Sequence, residues 1–317
     1  MHKKLLAGFV AGVASVAMMA APSFAAVTDP GVLVTINPGG GLGLNDGLKL
    51  DIAYGQIQIG RNGSGQLYDE SDIPSAAVPN DMENFFVVAL SDGANTTFIG
   101  NTYPRASGTG SRHDWSSFTS ESVLTDGNKS GVVINHLKYG TGTSEVLLDV
   151  TWTYTYPNQF FNVTADLQLG SDYIGAGKQH RIYWYTDSYL EGSDSGNQFG
   201  GITPAGQEVA GVASAAGTQI EAFRQVSGQS LKWFSGYYTC PFDDPTSGPF
   251  SNVQVCGTAS GANGYVSAFA DFPNVAAPAT LIDNGFGVNS ASSAAASNSV
   301  TFDLVFASCL TGVSALP

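Results

Sequence analysis

Strict alternation of side-chain type over residues 145–156 is the feature that most constrains the fold of this chain. Large apolar side chains fall on one face, and leucine, aspartate and threonine side chains fall on the other: Val146, Leu148, Val150, Trp152, Tyr154 and Tyr156 against Leu147, Asp149, Thr151, Thr153 and Thr155. A period of two residues is that of a β-strand with one buried face. Residues 157–159, Pro-Asn-Gln, form a turn, and alternation resumes over residues 161–169. The sequence therefore predicts an antiparallel hairpin here.

Similar patterns predict further strands along the chain. They cover residues 48–53, 56–59, 85–90, 132–139, 179–189, 219–223, 231–234, 265–269 and 300–307. Asn-Gly and Asp-Gly pairs at residues 62–63 and 126–127 favour tight turns between strands. No stretch of ten or more residues combines helical periodicity with capping residues. The sequence predicts an all-β fold, one large antiparallel β-sandwich with little helix, over residues 26–317.

The first 25 residues have the layout of a secretory signal peptide. Lys3 and Lys4 precede an apolar run over residues 5–21, and small residues follow up to a predicted cleavage site after Ala25. The sequence thus predicts export to the extracellular space, the cell surface or the periplasm. No other stretch is apolar and long enough to predict an integral membrane span.

The excess of acidic over basic residues makes some classes of binding partner unfavourable. The chain has 12 Lys and Arg residues against 26 Asp and Glu residues, a formal net charge of −14. An excess of negative charge disfavours nucleic acid and anionic membrane surfaces as partners. Charged residues make up only 12% of the chain, against roughly 25% in typical domains. Serine, threonine, asparagine, glutamine and glycine must supply most of the surface polarity, which suits an extracellular β protein.

Three cysteines fit an oxidising compartment. Cys240 and Cys256 close a compact loop and are predicted to form a disulfide. A loop of about 15 residues would contribute on the order of 3 kcal/mol. Cys309 is then left as a buried thiol or as an intermolecular partner, and the apolar run before it favours burial.

An aromatic strand that runs into an acidic loop, at residues 183–197, is the strongest candidate site. Asp187, Glu191 and Asp194 supply three carboxylates near serine and asparagine oxygens, and calcium prefers such oxygen ligands. The alternatives are a solvated acidic turn, or a sugar-binding site using Tyr185 or Tyr189. Asp283 lies in a second Asp-Asn-Gly turn that could face the first.

The order of these segments resembles a family of secreted bacterial β-sandwich modules with no assigned activity. The shared pattern spans residues 131–307 and consists of an aromatic hairpin, an acidic loop, a second turn and a final strand: residues 150–164, 187–196, 282–285 and 300–307. The resemblance implies a supersandwich-like fold, related to sugar-binding folds, in a secreted or surface setting. The insert around Cys240 and Cys256 and the glycine-rich start depart from the pattern.

Catalytic motifs are weak in this sequence. Residues 192–196 read Gly-Ser-Asp-Ser-Gly, with Asp194 at the centre where a nucleophilic serine should stand. Asp187 could form a carboxylate pair with Glu191 or Asp283, as a glycosidase or lyase needs. We favour a non-catalytic protein that binds glycan or neighbouring subunits, with calcium as a stabilising ion. A carbohydrate-active enzyme using the acids of residues 187–194 and a self-assembling structural subunit are the alternatives.

Overall fold

The computed structural model describes most of the chain. The described residues are 25–27, 33–43, 45–67, 84–92, 96–100, 112–113, 115–226, 228–237, 252–255, 264–267, 271–272, 274–276, 280–281 and 284–308. Cys240, Cys256 and Cys309 lie outside these ranges, as does the predicted signal peptide up to residue 24. The predicted disulfide and the predicted export therefore stay predictions.

Within these ranges the chain forms strands and short 3-10 helices. The strands are β1 Ala25–Val27, β2 Val34–Ile36, β3 Lys49–Ala53, β4 Gln56–Arg61, β5 Ser64–Gly65, β6 Asn84–Ser91, β7 Thr96–Gly100, β8 Arg112–His113, β9 Ser117–Thr125, β10 Ser130–Tyr139, β11 Val146–Tyr154, β12 Phe160–Leu169, β13 Gln179–Asp187, β14 Gly196–Ile202, β15 Glu208–Ser214, β16 Ile220–Gln225, β17 Lys232–Tyr237, β18 Asn252–Val255, β19 Gly264–Ser267, β20 Val275–Ala276, β21 Thr280–Leu281, β22 Asn284–Asn289 and β23 Ser297–Ala307. The 3-10 helices are Gly142–Ser144, Ser171–Tyr173 and Leu190–Gly192. The predicted all-β fold is confirmed. None of these helices approaches the length needed to cross a membrane.

Two large sheets form the body of the protein. The larger has the strand order β1-β9-β10-β11-β12-β23-β16-β15-β14-β21, and the smaller has the order β20-β17-β22-β13-β6-β7-β8. A four-stranded sheet, β2 to β5 in sequence order, and the β18–β19 hairpin complete the described part. The described strand pairs are antiparallel apart from β7–β8 and β17–β20.

The predicted hairpin of residues 145–169 is confirmed as β11 and β12 at the centre of the larger sheet. Val150 pairs with Ala165 and Trp152 pairs with Val163, and all four side chains are fully buried. The intervening residues of β11 are only half-buried. This alternation turns one face of the hairpin towards the core, as a half-buried strand requires.

Aromatic side chains join the two large sheets across the core. The ring of Trp184 on β13 lies 5.3 Å from that of Phe302 on β23, and the ring of Phe86 on β6 lies 6.3 Å from that of Trp152. Edge and tilted ring contacts of this kind stabilise a core beyond their buried area. One buried cluster extends in this way from Val34 to Phe306.

Strand β13 is buried on both faces, which explains its consecutive aromatic residues. Trp184 points into the core between the sheets, whereas Tyr183 and Tyr185 pack with Phe234 and Phe272 on the opposite face. Tyr185 is fully buried. The structure gives it a packing role, because no part of its ring is exposed for a sugar to contact.

Several strands lack the alternating pattern and were not predicted, β14, β15 and β22 among them. Each contains glycine, with three in β14 and two in β22, and glycine weakens strands in isolation. At Gly211 of β15, a Cβ atom would lie 2.0 Å from the carbonyl oxygen of Glu221 on β16. Close pairing with neighbouring strands, not local propensity, therefore holds this part of the larger sheet.

Candidate functional site at the end of strand β13

The loop that follows β13 is anchored on two sides. The backbone N–H of Ser188 donates to the carbonyl of Asn284 over 2.9 Å, and the N–H of Tyr189 donates to the carbonyl of Gln66 over 2.9 Å. Leu190 is buried beneath the loop. The chain then reverses through Glu191 in the left-handed region, at a φ of 57°. The loop is thus fixed to β22 and to the end of the four-stranded sheet.

The three predicted calcium ligands lie in different environments. Asp187 is 3% exposed, and alternation along β13 places it on the same face as Tyr185. Glu191 is exposed, and its Oε1 accepts a hydrogen bond of 2.6 Å from the Thr218 hydroxyl. Asp194 is half-buried, and burial raises the pKa of its carboxyl group.

No three His, Cys, Asp or Glu side chains of the described residues are grouped so that they could hold a metal ion. The carboxylates of Asp187, Glu191 and Asp194 therefore do not converge on one point. Calcium bound by these three acids stays a prediction.

The predicted ligand-binding residues also separate. Tyr189 is half-exposed at the start of the loop, whereas Tyr185 lies in the core. Asp283 lies outside the described residues, but its neighbour Asn284 begins β22. The Asn284 Nδ2 group donates a hydrogen bond to the backbone carbonyl of Asp194. Asn284, the central residue of the Asp-Asn-Gly turn, thus contacts the first loop.

A buried polar floor, made of Ser188, Glu221 and Asn284, lies beneath this loop. Ser188 follows Asp187, and its hydroxyl lies close to the Glu221 carboxyl group. Glu221, on β16 opposite Val212, is fully buried. A Cβ atom on Gly196 would lie 2.4 Å from Val212 Cγ1 and 3.0 Å from Asn284 Oδ1, which places the Asn284 amide beside the same part of the larger sheet.

Several oxygens of the buried polar floor lack a hydrogen-bond partner. Both carboxylate oxygens of Glu221, the Oδ1 atom of Asn284 and the hydroxyl of Ser188 make no hydrogen bond of normal geometry. Burial raises the pKa of Glu221 well above its usual value, and a weak hydrogen bond from the Ser188 hydroxyl, outside normal geometry, opposes this rise. Desolvation disfavours the charged carboxylate, so Glu221 holds a proton in the fold unless a cation compensates its charge.

The floor had a sequence signal that strand prediction alone did not use. In the predicted strand 219–223, Glu221 and Phe223 share one face by alternation. Phe223 belongs to the core between the sheets, so an acid on that face is directed inward. Asn284 gave no separate signal, because turn geometry alone explains an asparagine in an Asp-Asn-Gly turn.

Replacing Glu221 with glutamine should change how stability depends on pH. Below the pKa of the unfolded chain, Glu221 is protonated in both states. As pH rises above that value, the folded state retains the proton longer, so the folded wild type loses stability. In buffer without divalent cations, the midpoint of thermal unfolding should therefore fall more between pH 5 and pH 8 for the wild type than for Glu221→Gln. Parallel curves would contradict a buried, uncompensated carboxyl group.

Comparison with known proteins does not assign this chain to a family. No protein-family model matches the chain, and no curated protein matches it in sequence. A solved structure with some likeness is that of a galactose mutarotase-like protein from Lactobacillus casei ATCC 334. It is 11% identical, with a TM-score of 0.39 over 87% of this chain and 100% of that one. A likeness this distant indicates nothing about a substrate. The packed antiparallel sheets define an all-β, sandwich-like protein.

Proposed function

We propose that this protein is an exported, non-catalytic β-sandwich protein that binds glycan at the end of strand β13. The observation that carries the proposal is Tyr189, a half-exposed residue on an anchored loop that also carries Glu191 and Ser193. A tyrosine ring offers an apolar face and a hydroxyl, and both suit the mixed surface of a sugar.

The rim of this loop supplies hydrogen-bonding groups of the right kind. Glu191 and Thr218 are exposed and linked to each other, and Ser193 is half-exposed beside them. Such groups can both donate to and accept from sugar hydroxyls. Because the backbone bonds of Ser188 and Tyr189 already fix the loop, little ordering is left for binding to impose.

The position of Asp187 supports binding without catalysis. This acid is common to both predicted carboxylate pairs, yet it is 3% exposed on the far face of β13. A general acid or base must reach within hydrogen-bonding distance of its substrate. A polysaccharide on the loop rim would not have that access to Asp187.

Glycan binding can be tested with an array of oligosaccharides and polysaccharides. We expect the wild type to bind a subset of them, and Tyr189→Ala to lower the affinity about tenfold or more, since stacking and hydrogen bonding are both lost. Tyr189→Phe should retain most of the binding. Tyr173→Ala is the matched control, because Tyr173 is also half-exposed but precedes the start of β13.

The alternatives give different results in the same assays. Release of reducing ends or unsaturated products from the bound polysaccharides would favour the enzyme. Concentration-dependent sedimentation of the purified chain without any glycan binding would favour a self-assembling subunit. Loss of binding in Tyr173→Ala alone would move the site away from the loop.

A further inference from the structure

The buried polar floor contains an acid, Glu221, whose negative charge no basic side chain of the described residues compensates. Glu221 is fully buried, and in the part of the chain that the structure describes no lysine or arginine forms an ion pair with it. An isolated carboxylate in a protein interior is strongly unfavourable, so it must carry a proton or a compensating cation.

The groups around Glu221 favour a cation. The unpartnered atoms are all oxygens: both carboxylate oxygens of Glu221, Oδ1 of Asn284 and the hydroxyl of Ser188. A neutral Glu221 and the Ser188 hydroxyl together supply only two hydrogen-bond donors for these four oxygens. A hard cation satisfies several carboxylate, amide and hydroxyl oxygens at once, and flexible oxygen coordination is typical of calcium.

A further carboxylate lies close to the floor. Asn284 donates through Nδ2 to the backbone carbonyl of Asp194, which turns its Oδ1 atom away from that bond. The Oδ1 atom of Asp194 is itself buried without a hydrogen bond. Asp194 is thus a neighbour of Asn284 in the fold and carries a buried carboxylate oxygen with no hydrogen bond.

We propose that Glu221, Asn284 and Ser188 bind a calcium ion between the two large sheets, with Asp194 as a further ligand. This donor set differs from the three acids that the sequence predicted, Asp187, Glu191 and Asp194, since only Asp194 is common to both. Glu221 belongs to β16 of the larger sheet, whereas Ser188 directly follows β13 and Asn284 begins β22, both strands of the smaller sheet. The ion would tie the two sheets together and support the loop. The proposal does not rest on glycan binding.

Thermal unfolding at pH 8 tests this site. The full chain is first dialysed against a calcium chelator. With calcium added well above its dissociation constant, the wild-type midpoint should rise by about 5 °C, because a ligand that binds only the folded state stabilises it. Glu221→Gln should lose this rise. Asp166→Asn, which removes an exposed acid of β12, should keep it.

Calorimetric titration with calcium provides a second readout. We expect one ion per chain, an affinity at least about 100-fold lower for Glu221→Gln, and a smaller loss for the milder variant Ser188→Ala. No calcium effect on the wild type, or an unchanged effect in Glu221→Gln, would overturn the proposal. Loss of the calcium effect in Glu191→Gln but not in Glu221→Gln would also overturn it, by placing the ion on the exposed loop.

Discussion

Replacement of Trp152 by alanine is expected to lower the free energy of unfolding by about 3–5 kcal/mol. Trp152 is fully buried in the centre of the larger sheet, and its ring contacts those of Phe86 and Phe161. Its indole N–H donates to Asn135 Oδ1 over 2.9 Å, and Asn135 in turn donates to Ser120 over 2.8 Å. The variant leaves a cavity and also deprives a buried amide of its donor. Urea unfolding measures the loss.

The neighbouring residue provides the matched control for Trp152. Thr151 lies on the same strand, but its side chain points to the other face and is half-buried. Thr151→Ala should change the free energy of unfolding by only about 0.5 kcal/mol. Trp152→Phe should fall between the two variants. Equal effects of Trp152→Ala and Thr151→Ala would contradict the inward orientation of Trp152.

Replacement of Asp303 by asparagine should have the second large effect, about 3–5 kcal/mol. Arg224 donates through Nε and Nη2 to Asp303 Oδ2, over 3.2 and 2.6 Å, and Asn162 donates to Oδ1 over 3.2 Å. The side chains of Arg224 and Asp303 are 1% and 8% exposed. The variant keeps the shape of the side chain but leaves the buried guanidinium without its counter-charge.

A double variant separates the loss of the ion pair from the loss of packing. Arg224→Met combined with Asp303→Leu removes both charges and should recover most of the stability lost in Asp303→Asn, because buried ion pairs are often replaceable by apolar residues. Urea unfolding of the double variant and of its two single variants, Arg224→Met and Asp303→Leu, gives the coupling energy. A double variant less stable than Asp303→Asn would show that packing around the pair, not its charge, dominates.

The alternation of apolar and polar residues was sufficient to predict the strands that have one buried face. Residues 146–154 and 160–169 alternate, and both became strands with the expected face inward. Strand β13 was predicted too long, to residue 189, because its aromatic run continues to Tyr189. The structure ends it at Asp187: Ser188 still donates to Asn284 of β22, but Tyr189 turns to the carbonyl of Gln66, beyond β5. Such contacts are set by distant segments and leave no local pattern.

The sequence predicted the position of the candidate site but not the orientation of its side chains. The loop of residues 187–197 was recognised from its acids, and it does lie at a strand end. The sequence did not predict the role of its acids. Alternation places neighbouring residues of a strand on opposite faces, but it does not say what each face contacts. The packing of other segments against β13 decides which face lies near Glu221 and which face packs against Phe272.

The sequence by itself determined that this chain is all-β, where its regular strands run and which of their faces turn inward, because a period of two residues is a local property of the backbone. The tertiary structure decided which strands became neighbours. It paired Asn162 with Asp303 and brought Ser188, Glu221 and Asn284 to one place. Those residues are far apart in the chain, and the packing of two complete sheets was needed to bring their polar groups together.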